Sequence, residues 1–458
     1  MLRFTDLPLP SRPRSRRRPT RTAICHRAGA IRYKPHRPVG PKQHPYLRRM
    51  EDAVLHGQAV ARILLQLKKS GWRPDAILAH PGWGETLYAK DVFPDARLVH
   101  YCEWYYNAPP LDGLDQVDRA NWPYADIGFD PELPVEFDDL ARIRSWNALH
   151  LLNLNNCDVG ISPTHWQKAQ HPQAYLDKIV VAHEGIDTEN LGPDPNAVFK
   201  TPSGEVLKAN DPNKPVITYV ARNLEPYRGF HTFMRALPAV QKEHKNAHVL
   251  IVGGDDVSYG SRPKDAMSWK AKMLAEVGSQ LDPTRTHFLG KVPYADYKRV
   301  LQVSSAHVYL TYPFVLSWSA LEAMASGANL VAGSTWPVRE VVQHRRNGLL
   351  IPALDADAIA AQLVHTLSDP EAARIRGQRA QQGIAQSHSR RAGASAFTGL
   401  LLRQSAIHTA CAAAASLRET APLNRAPAPW PERHAVARTP ITNRPGCAMR
   451  GLMFGATP

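Results

Sequence analysis

The chain is poor in several features that would assign a function quickly. Its five cysteines, Cys25, Cys102, Cys157, Cys411 and Cys447, are scattered, odd in number and show no C-x-x-C spacing. That excludes a thiolate metal knuckle and a disulfide framework, and it fits a reducing, cytoplasmic compartment. No apolar run approaches the roughly 18–20 residues that cross a bilayer, so a soluble or at most peripheral protein is expected. There are 20 histidines, but no predicted helix carries an H-x-x-x-H or H-E-x-x-H pair, so no metal is expected. The glycine pair in AHVLIVGGDD (247–256) is not a G-x-G-x-x-G fingerprint and reads as a tight strand-to-helix turn at Gly253 and Gly254.

What is abundant is positive charge, and its location matters more than its size. The net formal charge is +15. Residues 1–42 hold twelve Lys/Arg and one Asp, and residues 386–458 hold nine Arg and two Glu. The two ends therefore carry +11 and +7, leaving −3 for residues 43–385. A basic protein with a slightly acidic body is a weak candidate for nucleic-acid binding through its folded part. PLPSRPRSRRRPTRT (8–22) and the stretch from residue 419 to the end are Pro/Arg- and Pro/Ala/Arg-rich without apolar periodicity. Both are expected to be disordered, with a basic interaction tail as the alternative. The arginines of 8–22 are not followed by the apolar region that an export signal requires.

Between the ends, strands and helices alternate. Leu47, Met50, Val54, Leu55, Ala59, Ile63, Leu64 and Leu67 form one apolar stripe, predicting a helix over 46–69. Short apolar runs follow at 75–80, 96–101, 158–162 and 178–183. A cleaner series occupies 215–222, 247–254, 286–291, 306–312, 328–333 and 347–351. Helical patterns at 229–243, 264–279, 293–303, 317–326 and 336–343 separate most of these, and helices at 355–367 and 370–386 close the series. Such alternation predicts parallel sheets with helical crossovers: two doubly wound, Rossmann-like α/β domains facing a cleft. Ligands in such folds bind at the carboxyl ends of the strands, so those loops carry the candidate residues.

In ARNLEPYRGF (221–230), Arg222 ends a strand and Arg228 precedes the glycine that opens a helix. Two guanidiniums beside a helix start suit a diphosphate; the alternative is that both are solvated or pair with Glu225. In TYPFVLSWSALEAMASG (311–327), a strand turns into a helix whose first N–H groups, 316–319, are expected to face an anion. Glu322 is the lone acid of that helix, with Ser319 and Ser326 on its face and Leu321 and Met324 on the packed side. A carboxylate there suits a ribose diol; the alternative is a solvated surface acid. In AHPGWGE (79–85), His80 ends a strand, and YCEWYYNAP (101–109) places Glu103, Trp104, Tyr105 and Tyr106 after another. Aromatic faces beside an acid suit a sugar, although such clusters are as often core, and His80 could equally be a backbone-bonded core residue.

Taken together, ARNLEPYRGF, AHVLIVGGD, HFLGKVP and YPFVLSWSALEAMASG, in this order and spacing, resemble a retaining glycosyltransferase of family 4 with the GT-B fold. The resemblance spans about residues 43–385 and is strongest over 215–352. It implies an acceptor-side domain at 43–190 and a nucleotide-sugar-binding domain at 191–386, flanked by the basic ends 1–42 and 387–458. By it, Arg222 and Arg228 grip the donor diphosphate, with Arg228 standing where the family usually has Lys. Leu316 and Ser317 form the turn that meets phosphate, and Gly290 to Val292 contact the base. Glu322 is the second acid of the E-x7-E motif and binds ribose. The first acid of that motif is replaced by Phe314, which removes the usual contact to the donor sugar. His80 would face the transferring sugar, with Glu103 beside it in the catalytic site. The resemblance further implies a UDP- or GDP-linked donor, no metal or other cofactor, a glycan, lipid-linked or small-molecule acceptor, and contact with the inner membrane face.

Two departures from the family pattern are expected. Residues 1–30 show neither the opening strand nor its Gly-rich loop, so the N-terminal domain is expected to lack its first strands. The helix that crosses back to the first domain is not recognisable after residue 386. Both ends are therefore expected to be translated out of frame or replaced. Rival readings are a nucleotide-sugar epimerase on the same fold, a non-catalytic nucleotide-binding remnant, and nucleic-acid binding through the tails.

Overall fold

The computed structural model describes residues 2–5, 28–116 and 118–402. Strands β1 (Leu2–Thr5) and β2 (Ala28–Ile31) pair with each other, antiparallel, outside the larger sheets. Helix α1 (Arg48–Lys69) buries Leu55, Ala59 and Leu64 of its predicted stripe together with Ala53 and Val60, which the stripe did not include, while Leu47 is exposed. Next come β3 (Ala76–Ala79), α2 (Ala89–Val92), β4 (Arg97–Tyr101), α3 (Phe137–Asn156), β5 (Val159–Ser162), α4 (His165–Ala169) and β6 (Ile179–Val181). Strands β3 to β6 form a four-stranded parallel sheet in sequence order. The connection from β4 to α3 is long and, among the described residues, contains two 3-10 turns, Leu111–Gln116 and Arg119–Asn121.

A small hairpin, β7 (Val198–Lys200) with β8 (Val206–Lys208), leads into the second domain. That domain runs β9 (Val216–Asn223), α5 (Phe230–Glu243), β10 (His248–Gly254), α6 (Trp269–Val277), β11 (Thr286–Gly290), α7 (Tyr294–Gln302) and β12 (Ala306–Tyr309). It continues with α8 (Trp318–Ala325), β13 (Leu330–Gly333), α9 (Trp336–Arg339), β14 (Leu349–Ile351), α10 (Ala356–Ser368), α11 (Pro370–Ser387) and α12 (Arg390–Leu401). All six strands are parallel, in the order β11-β10-β9-β12-β13-β14. The order reverses between β9 and β12, which is the topological switch point of a doubly wound sheet. Continuous burial of β10, β12 and β13 explains their unbroken apolar runs: helices cover both faces.

Three expectations about the ends are corrected. Residues 1–31 do contain strands, since Leu-Arg-Phe-Thr alternates apolar and polar residues as a strand does, but β1 and β2 do not join the parallel sheet. The segment after β2 is tied down: Tyr33 Oη is 2.9 Å from His56 Nδ1 and donates to Glu85 at 2.7 Å, and Arg37 pairs with Glu51 at 2.6 Å. The return helix exists as α12, so residues 387–402 belong to the fold. Leu400, with Phe397 and Leu401, packs on Val99 and Ile161 of the first domain, and Arg97 Nε donates to the Leu400 carbonyl at 2.8 Å. Its apolar stripe is short because glycines occupy its close approaches. A Cβ at Gly393 would lie 2.2 Å from the Glu184 carbonyl oxygen. The Arg/Pro-rich stretch 8–22 and the tail beyond 402 lie outside the described residues. Among the described residues, no helix is long and apolar enough to cross a membrane.

Candidate functional site

A cavity of about 230 Å³ opens at the switch point. The end of β9 and the loop after it contribute Val220, Ala221, Arg222, Asn223, Glu225 and Arg228; the start of α8 contributes Ser317 and Ser319. Ser258, Tyr259 and Tyr297 complete the wall. Arg222 is exposed at the mouth. Arg228 is buried, and its Nη1 donates to Thr311 Oγ1 (2.7 Å), the Val315 carbonyl (3.2 Å) and Tyr309 Oη (3.3 Å). The guanidinium also lies over the rings of Tyr259 (5.5 Å) and Phe314 (5.6 Å). Its position is thus fixed by one edge, which leaves the rest of the fork for a ligand.

Glu225 pairs with neither arginine. Its carboxylate accepts the N–H groups of Ser258 (2.9 Å), Tyr259 (3.3 Å) and Gly260 (2.9 Å), fixing the loop between β10 and α6 against the cavity. Asn223 donates to Ser258 Oγ at 2.8 Å, while its own Oδ1 is buried without a partner among the described residues. The cavity is therefore basic at its mouth and retains an unused acceptor on its wall.

The strand-to-helix turn departs from expectation. Ser317 N–H donates to Tyr309 Oη (2.9 Å) and Ser319 N–H to Ser317 Oγ (3.2 Å), so two of the N–H groups at 316–319 are already engaged. The reason is local: Ser317 is the helix N-cap, and its side chain closes the first turn. Leu316 is core, at 3% exposure, whereas Ser317 and Ser319 line the cavity. Glu322 is partly buried and accepts from Tyr297 Oη at 2.6 Å and Tyr294 Oη at 3.5 Å. Burial raises its carboxyl above the usual range against the lowering effect of these hydrogen bonds. It is not a solvated surface acid; it reaches the cavity through Tyr297. Ser326 does not share that surface. It is buried and donates back to the Glu322 carbonyl at 2.9 Å.

Phe314 packs against Trp104 (4.4 Å between ring centroids), Tyr259 (4.7 Å) and Tyr227 (5.7 Å), so an aromatic wall stands where the motif's first acid would be. Gly290 ends β11, two strands away from the switch point, Val292 follows it in the loop, and neither lines the cavity. Gly290 has φ +65 with open space around it, while Val292 is partly buried against the core. His80 and Glu103 are brought together: His80 Nδ1 accepts the Gly82 N–H at 3.0 Å, so Nε2 carries the proton and faces Glu103 Oε2 at 3.3 Å. Sequence reasoning missed Ser258, Tyr259 and Tyr297. They come from loops and helices far along the chain, and only the YADY of α7, four residues past Gly290, signalled tyrosines near that strand end. One His/acid group with ligand atoms within 4.8 Å of one another occurs among the described residues: Asp130, Glu132 and His231. It lies at the domain contact, where Asp130 also accepts Tyr312 Oη and Glu132 pairs with Arg235, and it does not line the cavity.

Two family models match the chain in tandem: the glycosyl transferase family 4 group over residues 16–191 and the glycosyl transferases group 1 over residues 214–369. The chain belongs to the family 4/group 1 glycosyltransferases. Among curated relatives of this glycosyltransferase, the glycogen synthase of Mycobacterium tuberculosis is 23% identical over 335 residues, covering 72% of this chain and 69% of the relative. A GDP-mannose-dependent alpha-(1-6)-phosphatidylinositol monomannoside mannosyltransferase of Mycolicibacterium smegmatis is 24% identical, covering 60% and 69%. The fold matches sucrose-phosphate synthase from Thermosynechococcus elongatus with a TM-score of 0.54 at 18% identity, over 82% of each chain. It also matches Anabaena HepE, solved with UDP and glucose, with a TM-score of 0.52 at 17% identity, over 75% of this chain and 82% of that one. The transferase therefore has the GT-B architecture of two facing Rossmann-like domains.

Proposed function

We infer that this glycosyltransferase moves a hexosyl group from a UDP- or GDP-linked donor, with retention at the anomeric carbon and without a metal. The observation that carries the reading is the switch-point cavity, with Arg222 at its mouth and Arg228 fixed along one edge. A diphosphate there meets two guanidiniums, and the ribose lies toward Glu322 and Tyr297. The nucleotide leaves as its diphosphate, whose developing charge the arginines stabilise. The bond from the anomeric carbon to the diphosphate breaks, the acceptor oxygen bonds that carbon on the face the diphosphate leaves, so the configuration is kept, and the acceptor proton passes to Glu103, which His80 orients. Packing of the two domains around the cleft excludes the water that would otherwise hydrolyse the donor. One relative is named a glycogen synthase and another a GDP-mannose-dependent mannosyltransferase of a phosphatidylinositol monomannoside, which supports a glycan or lipid-linked acceptor and a peripheral location.

Calorimetric titration of the full chain with UDP and with GDP, beside Glu322→Ala, tests this. One nucleotide should bind, and the substitution should weaken it by about tenfold, as loss of a charge-assisted hydrogen bond implies. Absence of binding to both nucleotides would remove the donor site.

A further inference from the structure

The loop after β3 presents an indole to solvent in a place the donor site does not use. Trp83 is 64% exposed, yet it stands on a rigid base. Its ring stacks on His80 with centroids 4.6 Å apart and planes 21° apart. The 3-10 turn that carries it, Pro81–Trp83, is capped by the His80 side chain. Asn153 of α3 donates to the Pro81 carbonyl at 2.7 Å. Gly84 holds φ +85 and sits so close to α1 that a Cβ would fall 2.4 Å from the Ala53 carbonyl oxygen. A large apolar side chain is usually exposed on a mobile surface or incidentally; this one is exposed on a loop pinned from two helices.

Chemistry converges on the same spot. Glu103 Oε2 meets His80 Nε2, so the carboxylate lies beside the imidazole on which the indole stacks. The Glu103 side chain is 36% exposed and remains open to a hydroxyl donor. Trp104, the next residue, packs on Phe314 of the opposite domain, and Phe314 touches Tyr259 of the donor cavity. The indole and the carboxylate thus belong to the cleft wall facing that cavity.

We propose that Trp83 and Glu103 form the acceptor platform and that its ligand is a pyranose residue. A pyranose has an apolar face of C–H groups that covers an indole, and edge hydroxyls that donate to a carboxylate. A lipid headgroup with a bare phosphate is disfavoured, because the charged group at the platform is an anion. Stacking positions the ring so that the hydroxyl held by Glu103 is the one that attacks. The inference rests on the donor assignment for its role in transfer, but not for binding itself.

Saturation-transfer NMR on the full chain, with methyl α-D-glucopyranoside and methyl α-D-mannopyranoside as probes and UDP or GDP present, provides the test. Wild type should transfer saturation to the C–H protons of at least one glycoside. Trp83→Ala should weaken that binding by about five- to tenfold, and Trp83→Phe should keep part of it. Nucleotide affinity and thermal midpoint should match wild type in both variants, because Trp83 is exposed and outside the donor cavity. Equal glycoside signals in wild type and Trp83→Ala would overturn the platform, as would wild type giving none with nucleotide bound. If neither nucleotide binds while the glycoside signal still depends on Trp83, the donor site fails and the platform stands.

Discussion

Truncating Arg222 and truncating Arg228 remove different things. Arg222 is exposed at the cavity mouth, so Arg222→Ala should leave the thermal midpoint near wild type. It should cost about 1.5–3 kcal/mol of nucleotide affinity, the range for a charged hydrogen bond. Arg228 is buried with one nitrogen bonded to Thr311, Val315 and Tyr309, so Arg228→Ala should lower both affinity and stability. Arg228→Lys tests the fork. A lysine reaches the same region with a point charge but cannot hold the turn and a phosphate at once, so it should keep stability better than affinity. Calorimetry and thermal melts on the three variants separate these outcomes; equal stability loss in Arg222→Ala and Arg228→Ala would contradict the assignment. Tyr297→Phe belongs beside them. It removes the 2.6 Å hydrogen bond to Glu322, and a weakened nucleotide with an unchanged fold would place Glu322 in ribose binding through that hydroxyl.

Helix α12 is the element whose role is clearest from packing and least legible in sequence. Gly393→Ala would push a methyl group against the Glu184 and His183 carbonyls of the segment linking the domains. It should lower the thermal midpoint by the equivalent of more than about 1 kcal/mol. Leu400→Ala should cost about 2 kcal/mol by opening the contact with Val99 and Ile161. An unchanged midpoint in both would mean that the helix is not docked. A stripe of Gly393, Gly399 and Leu400 carries little hydrophobic periodicity, because glycines sit where backbones approach and thus leave no apolar mark. The second sheet is the opposite case. Its central strands are buried on both faces and announce themselves as runs such as VLIV, and all six were readable. The β7–β8 hairpin was missed because it alternates around one buried residue in each strand, Phe199 and Leu207. The site divides the same way. Arg222, Arg228, Ser317 and Glu322 lie in two contiguous motifs and could be found. The engagement of Ser317 N–H by Tyr309, and the wall of Ser258, Tyr259 and Tyr297, depend on how distant loops meet, which no local pattern encodes.

Across the whole molecule, the connection between β4 and α3 straps the first domain to the second through buried acids, and this gives stability a two-sided pH dependence. Tyr227 donates to Asp126, and Asp130 accepts Tyr312 and faces His231 Nε2 at 3.1 Å. From the other side, Glu340 of the second domain accepts the His165 and Trp166 N–H groups at the start of α4. Burial pushes Asp126 up to about 6 from 3.8; Glu340 is exposed as a residue, but desolvation of its carboxyl at the start of α4 pushes it up to about 7 from 4.5. The folded state thus holds protons that the unfolded chain has released. This stabilisation is complete below the ordinary carboxylate values and is lost as pH rises through about 6 to 7. Buried imidazoles act in the opposite sense. Burial lowers His100 to about 4 and His150 and His307 to about 3, so their contribution is present above the ordinary 6.5 and lost as pH falls below it. Acid unfolding should therefore be driven by the histidines and obscure the carboxylates in wild type alone. A difference measurement isolates Glu340. Glu340→Gln keeps one acceptor oxygen in place of two and cannot ionise, so beyond a constant offset for the lost hydrogen bond its thermal midpoint relative to wild type should rise between about pH 5 and pH 7 and then level off, by about 1 kcal/mol because water screens an exposed residue. A difference that stays flat across that range would show that Glu340 ionises at its ordinary value and that the strap is open to water.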